Sequence, residues 1–163
     1  MAASVFSQNI KVASHGTRGV PQLDGLEGTS QTWVEGCSPL VMSSGLLIEA
    51  TDAADQASVW GFSTSAATGT VNTVTSYIPN IPGILFEAIL SNAGNTIALT
   101  QAMIGLSYAI AKDTTTKYWY VDQSDTTNAE VVVVGYKQPQ FKIGDTDAVV
   151  FFYYKETESA IAN

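Results

Sequence analysis

The chain has 163 residues, with 15 acidic against 7 basic side chains, a formal net charge of −8 and only 13% charged residues. A domain of this length buries roughly 70% of its unfolded surface and needs no metal or disulfide staple. No basic cluster supplies a footprint for a phosphate backbone, so neither nucleic acid nor an anionic membrane is an expected partner.

Charged residues are scarce compared with the ~25% of ordinary globular chains. Neutral hydroxyls and amides fill the gap, which suits packing against copies of the chain or against a large lattice. Cys37 is the single cysteine, so an intramolecular disulfide and a multi-cysteine zinc site are both excluded. No basic stretch followed by an apolar run opens the sequence, so synthesis and folding in a cytoplasm are expected. The longest apolar run, Ala148 to Tyr154, falls far short of the ~20 residues of a membrane helix.

Residues 1–45 lack a sustained period. One β-like stretch runs from Val5 to Val12, and Gly16, Gly19, Pro21, Gly25, Gly28, Gly36 and Pro39 then punctuate the chain. This segment reads as an extended N-terminal arm, with Trp33 and Val34 anchoring it to the core. From residue 46 the texture changes. Leu46 to Ala50 is a short strand, and Asp52 caps a single helical turn over 53–57. Val59 to Ser63 is a strand. Thr70 to Ile78 is rich in β-branched residues, which lose χ1 freedom in a helix and suit a pleated surface.

Ile84 to Leu90 places Ile84, Phe86, Ala88 and Leu90 on one face and Leu85, Glu87 and Ile89 on the other, a strand buried on both sides. Ser91 to Asn95 is a turn and Thr96 to Leu99 a brief strand. Met103 to Ala111 is a further strand, with Gly105 marking a bulge. Asp113 to Thr116 turns the chain into the aromatic strand Tyr118 to Val121. Val131 to Val134 and Ala148 to Tyr154 close the domain, with a turn at Ile143 to Thr146 between them. Short strands separated by turn signals indicate an all-β domain over 46–155, a small β-barrel or β-sandwich of antiparallel strands. Residues 156–163 form a polar tail.

Chemistry-bearing patterns are sparse. A Ser-His-Asp or Cys-His device needs a histidine base, and His15, the only one, lies in the Gly-rich arm. No phosphate-binding glycine loop is present. Asp52, Asp55, Asp122, Asp125, Asp145 and Asp147 lie at or near turns or a cap, where aspartate bonds its own backbone. The stretch Asp122 to Glu130 has oxygen side chains at spaced positions. A calcium loop needs glycine at its sixth position and glutamate at its twelfth, which are Thr127 and Val133 here. Tyr118 and Tyr120 face away from Trp119, which gives one core face and one surface face. The chain therefore reads as a non-enzyme that holds no metal or cofactor.

The ordered set Val59-Trp60-Gly61-Phe62, Ala102 to Tyr108, Tyr118 to Asp122, Val131 to Gly135 and the Gly144-Asp145 turn resembles the small decoration, or cement, proteins of tailed-phage heads. The resemblance spans roughly residues 45–155 and rests on strand and turn order. It implies a β-barrel or sandwich on the capsid exterior of the virion, a homotrimer that clamps neighbouring capsomers through the major capsid protein. The arm would then add a strand to an exposed sheet edge. Its contact residues would be Val5, Phe6, Ile10 and Val12, with Arg18 pairing a carboxylate and Trp33 as an anchor. The alternatives are a phage tail-tube or head–tail joining subunit, and a carbohydrate-binding head appendage.

Overall fold

A computed structural model describes residues 8–14, 19–51 and 59–155. Val5, Phe6, His15, Arg18, the helical turn expected at 52–57 and the tail 156–163 lie outside the described residues. The described chain is built almost wholly of strands, with a single 3₁₀ turn at Gln101–Met103 and no α-helix.

The strands are β1 (Lys11–Ser14), β2 (Leu23–Leu26), β3 (Pro39–Ser43), β4 (Leu46–Glu49), β5 (Val59–Ser63), β6 (Val74–Pro79), β7 (Leu85–Ser91), β8 (Ser107–Lys112), β9 (Trp119–Asp122), β10 (Val131–Tyr136) and β11 (Val149–Tyr154). One sheet runs β1-β7-β11-β10-β8-β9. A parallel pairing of β9 back onto β7, Leu90 opposite Val121, closes five of these strands into a barrel. All other strand pairs are antiparallel. Strand β1 lies along the first half of β7, Val12 opposite Phe86.

The barrel interior follows from the two-residue period of a strand. Phe86, Ala88 and Leu90 of β7, Tyr108 and Ile110 of β8, Trp119 and Val121 of β9, Val131 and Val133 of β10, and Val150, Phe152 and Tyr154 of β11 all enter one cluster. The opposite faces are not left bare. Ile89, Ala111, Tyr120 and Val149 form a second cluster outside the barrel, covered by Tyr118 and Phe141. The aromatic strand thus has both faces buried where alternation predicted one core face and one surface face.

The other sheet runs β2-β6-β5-β3-β4. Its two outer strands meet at one end, where Glu27 bridges Leu47 and the Gly28 amide donates to the Leu47 carbonyl at 2.8 Å. Trp33, Leu40, Leu47 and Tyr77 pack inside it. Gly61 of β5 is required by close approach: a Cβ there would stand 2.5 Å from the Ile78 carbonyl oxygen. The two sheets share one core. Phe62 of β5 reaches the barrel aromatics, 4.4 Å from the ring centre of Phe86 and 4.8 Å from that of Tyr154.

The expected strands at 59–63, 84–90, 131–134 and 148–154 are present within a residue or two. Three other expectations are corrected. Residues 19–45 are not an arm leading into a domain that starts at 46, because β2 and β3 are integral strands and the β3–β4 hairpin straddles that boundary. Thr96 to Leu99 makes only an isolated bridge, Ala98 to Thr146. The stretch from Met103 does not enter a strand until Ser107, and Gly105, at φ +88°, belongs to the preceding turn.

Candidate functional site: a polar junction and an exposed face

Where the two sheets meet, a few buried polar side chains carry the connection. Asn9 is 3% exposed. Its Oδ1 accepts from the amides of Ile10 at 2.9 Å and Trp119 at 2.8 Å. Its Nδ2 donates to the Glu35 carbonyl and to Ser38 Oγ, both at 3.2 Å. One side chain thereby ties the segment before β1 to the 35–38 loop and to β9. A second tie joins β4 to the barrel: Glu49 accepts from Lys112 Nζ at 2.6 Å and from Trp119 Nε1 at 3.0 Å. These groups bond one another across the junction.

The acidic loops are equally self-contained. Asp122 accepts from the amides of Ala93 and Ser124 and from Ser124 Oγ. Asp125 accepts from the amides of Thr127 and Asn128 and from Asn128 Nδ2. The Asn128 amide and side chain, and to a lesser extent the Thr127 amide, hold the Asp125 carboxyl below its usual range, with burial opposing them. Among the described residues no three metal-ligating side chains converge. Glu27, fully buried, accepts from Thr68 N, Thr68 Oγ1 and Gly69 N. Burial pushes the Cys37 thiol up to about 11. Burial also pushes the Tyr154 hydroxyl well above its usual value, with Glu130 and Cys37 nearby acting in the same direction.

The contact residues expected from the sequence are not brought together on the surface. Ile10 is 0% exposed and Trp33 is 1% exposed, each packed into the chain's own core. Both are corrected from partner contacts to core residues: their apolar bulk is satisfied internally, and Trp33 Nε1 donates to the Ser65 carbonyl. Val12 is half-buried against the main core. Val5, Phe6 and Arg18 lie outside the described residues.

The structure instead exposes apolar side chains on β2 and β6. Leu26 and Val74 are register partners, hence neighbours on one face, and Val74 is 65% exposed. Val71, in the turn before β6, and Leu23, at the start of β2, are also exposed. Around them stand Thr70, Asn72 and a hydrogen-bonded pair, Ser76 Oγ donating to Asp24 Oδ1 at 2.6 Å. No sequence signal marks this face, because it depends on which strand β2 pairs with. Comparisons with protein-family models, with curated proteins and with solved structures gave no match. Among the described residues no helix is long and apolar enough to cross a membrane.

Proposed function

We propose that this chain is a structural virion protein that binds the outside of a tailed-phage capsid and joins neighbouring capsomers, with the major capsid protein as partner and a homotrimer as its working form. The supporting observation is the exposed pair Leu26 and Val74 on paired strands, with Val71 exposed in the adjoining turn and hydroxyl and amide side chains and Asp24 around them. A rigid strand-borne face loses little entropy on docking. Exposed apolar clusters of this kind mark interaction surfaces. Burying one apolar side chain contributes about 1.5–3 kcal/mol before ordering costs, so several together make a contact that repetition over a lattice strengthens.

Of the contacts expected for an arm that adds a strand to a partner, Val5, Phe6 and Arg18 lie outside the described residues. Asn9 and Ile10 are locked into the chain's own core, and β1 is already paired with β7. Two variants separate the contacts: deletion of residues 1–7, and the double substitution Leu26→Asp with Val74→Asp. Each should remain folded by circular dichroism. The protein should cosediment with capsids from its source, and the double variant should not. Undiminished cosedimentation of the double variant would remove this face from the proposal. Quantitative mass spectrometry of purified particles tests the wider reading. A count comparable to the major capsid protein supports decoration, a handful of copies favours a tail-tube or head–tail joining subunit, and absence from particles overturns it.

A further inference from the structure

On the side of the molecule where β1, the 35–36 loop and the approach to β9 converge, a cleft of about 300 Å³ is lined by Gln8, Asn9, Lys11, Glu35, Gly36 and Tyr118. This lies at the small end of the ~300–1,000 Å³ range of ligand pockets, large enough for one ring-sized molecule. The cleft has a fixed wall. Gly36 adopts φ +115°, and a Cβ there would lie 2.8 Å from Asn9 Cβ, so the loop crosses Asn9 closely only because the residue is glycine. Asn9, with both ends of its amide engaged, holds that wall still.

Among the described residues the remaining lining side chains have no hydrogen-bond or ion-pair partner. Among the described residues, Lys11, Glu35 and the Tyr118 hydroxyl have no side-chain hydrogen bond or ion pair, and Gln8 Nε2 is shielded from solvent without a partner. An unsatisfied shielded donor is costly. The set comprises an ammonium, a carboxylate, an amide donor and a phenol beside one aromatic ring. Such a ring has an electron-rich face that receives polarised C–H groups. The ligand that uses all of these together is a ring with alternating hydroxyl donors and acceptors on its rim and C–H bonds on its face.

We propose that this cleft is a subsite for a single neutral sugar residue, a hexose or N-acetylhexosamine at the end of a glycan. Glu35 accepts from ring hydroxyls, Lys11 and Gln8 donate to them, and Tyr118 packs on the ring. This inference does not depend on the capsid reading. A site of this size gives weak affinity for a lone monosaccharide, with Kd on the order of 1 mM.

The test is a titration of the full ¹⁵N-labelled chain with methyl glycosides of glucose, galactose, mannose and N-acetylglucosamine, followed by NMR. One or more of these should shift the amides of Lys11, Glu35, Gly36 and Tyr118 saturably. Glu35→Ala and Lys11→Met, at exposed positions without internal partners, should each weaken binding at least about fivefold while leaving the remaining spectrum unchanged. Absence of saturable shifts with all four sugars overturns the proposal, as do shifts confined to other surfaces or binding indifferent to both variants. A zwitterion such as glycine that fills the cleft while the sugars do not would also overturn it, since the Lys11–Glu35 pair would then be reading charge.

Discussion

Asn9→Ala should be among the most damaging single substitutions outside the apolar core. Asn9 makes four hydrogen bonds, one to its neighbour Ile10 and three to distant segments: amides of Ile10 and Trp119 on its oxygen, the Glu35 carbonyl and Ser38 Oγ on its nitrogen. Removing the side chain strands two backbone amides at positions whose residues are 0% exposed. Each stranded amide costs about 1–3 kcal/mol, and the two bonds donated by Nδ2 add a smaller loss because their acceptors have other options. The sum is about 3–5 kcal/mol, a large share of the roughly 5–15 kcal/mol that holds a domain together. Urea denaturation followed by tryptophan fluorescence reads it directly, as a lower midpoint at an unchanged slope. Hydrogen exchange adds a local reading, since the Trp119 amide should lose protection before the barrel interior does. Asn9→Asp separates the two ends of the side chain, because it keeps the acceptor for Ile10 and Trp119 but faces the Glu35 carbonyl with a charge. A cost below about 1 kcal/mol for Asn9→Ala would refute the assignment of the seam to this residue.

Three further outcomes are expected. Lys112→Met leaves the largely buried Glu49 carboxylate with Trp119 Nε1 but no cation, and should cost about 2–4 kcal/mol; adding Glu49→Gln should recover part of that loss in a double-mutant cycle. The Cys37 thiol is raised by burial from 9.0 to about 11, so the folded state favours the neutral form. Its contribution is fully present below pH 9 and is lost as pH rises through the folded value, by roughly 2–3 kcal/mol, a slope that Cys37→Ala should reduce in denaturation curves taken across that window. Tyr154 acts in the same direction, so the comparison of the two chains, not the wild-type curve alone, isolates the thiol. Glu27→Ala frees the amides of Thr68 and Gly69 from a fully buried carboxylate, and should destabilise the chain by about 2–3 kcal/mol and speed proteolytic cutting near residue 68.

The sequence by itself determined the class of the fold and most of the barrel. Alternation of large apolar residues in β7 and β11 and the β-branched run of β10 are local facts, written in side-chain type at a spacing of two. The turns at Asp113 and Ile143 were equally legible, because turn residues act on their own backbone. The β3–β4 hairpin carried a readable signal that glycine counting obscured: Ser44 and Gly45 both take positive φ, at 50° and 81°, as a two-residue hairpin turn requires. Strand β2 carried none. Leu23-Asp24-Gly25-Leu26 has little intrinsic strand preference, and it is a strand because β6 offers it a register and Gly25 admits Leu47 and Tyr77 beneath it. The same limit applies to the candidate sites. Whether Ile10 or Val74 faces a partner is a question of what lies opposite, and strand pairing is a long-range choice that composition does not encode. Only the tertiary structure decided that Ile10 and Trp33 sit in the core, that Val74 and Leu26 share an outer face, and that Gln8, Glu35 and Tyr118 meet across one cleft. Contacts between side chains and backbone 26 to 110 positions apart come from the closure of sheets, which satisfies backbone groups of strands distant in the sequence.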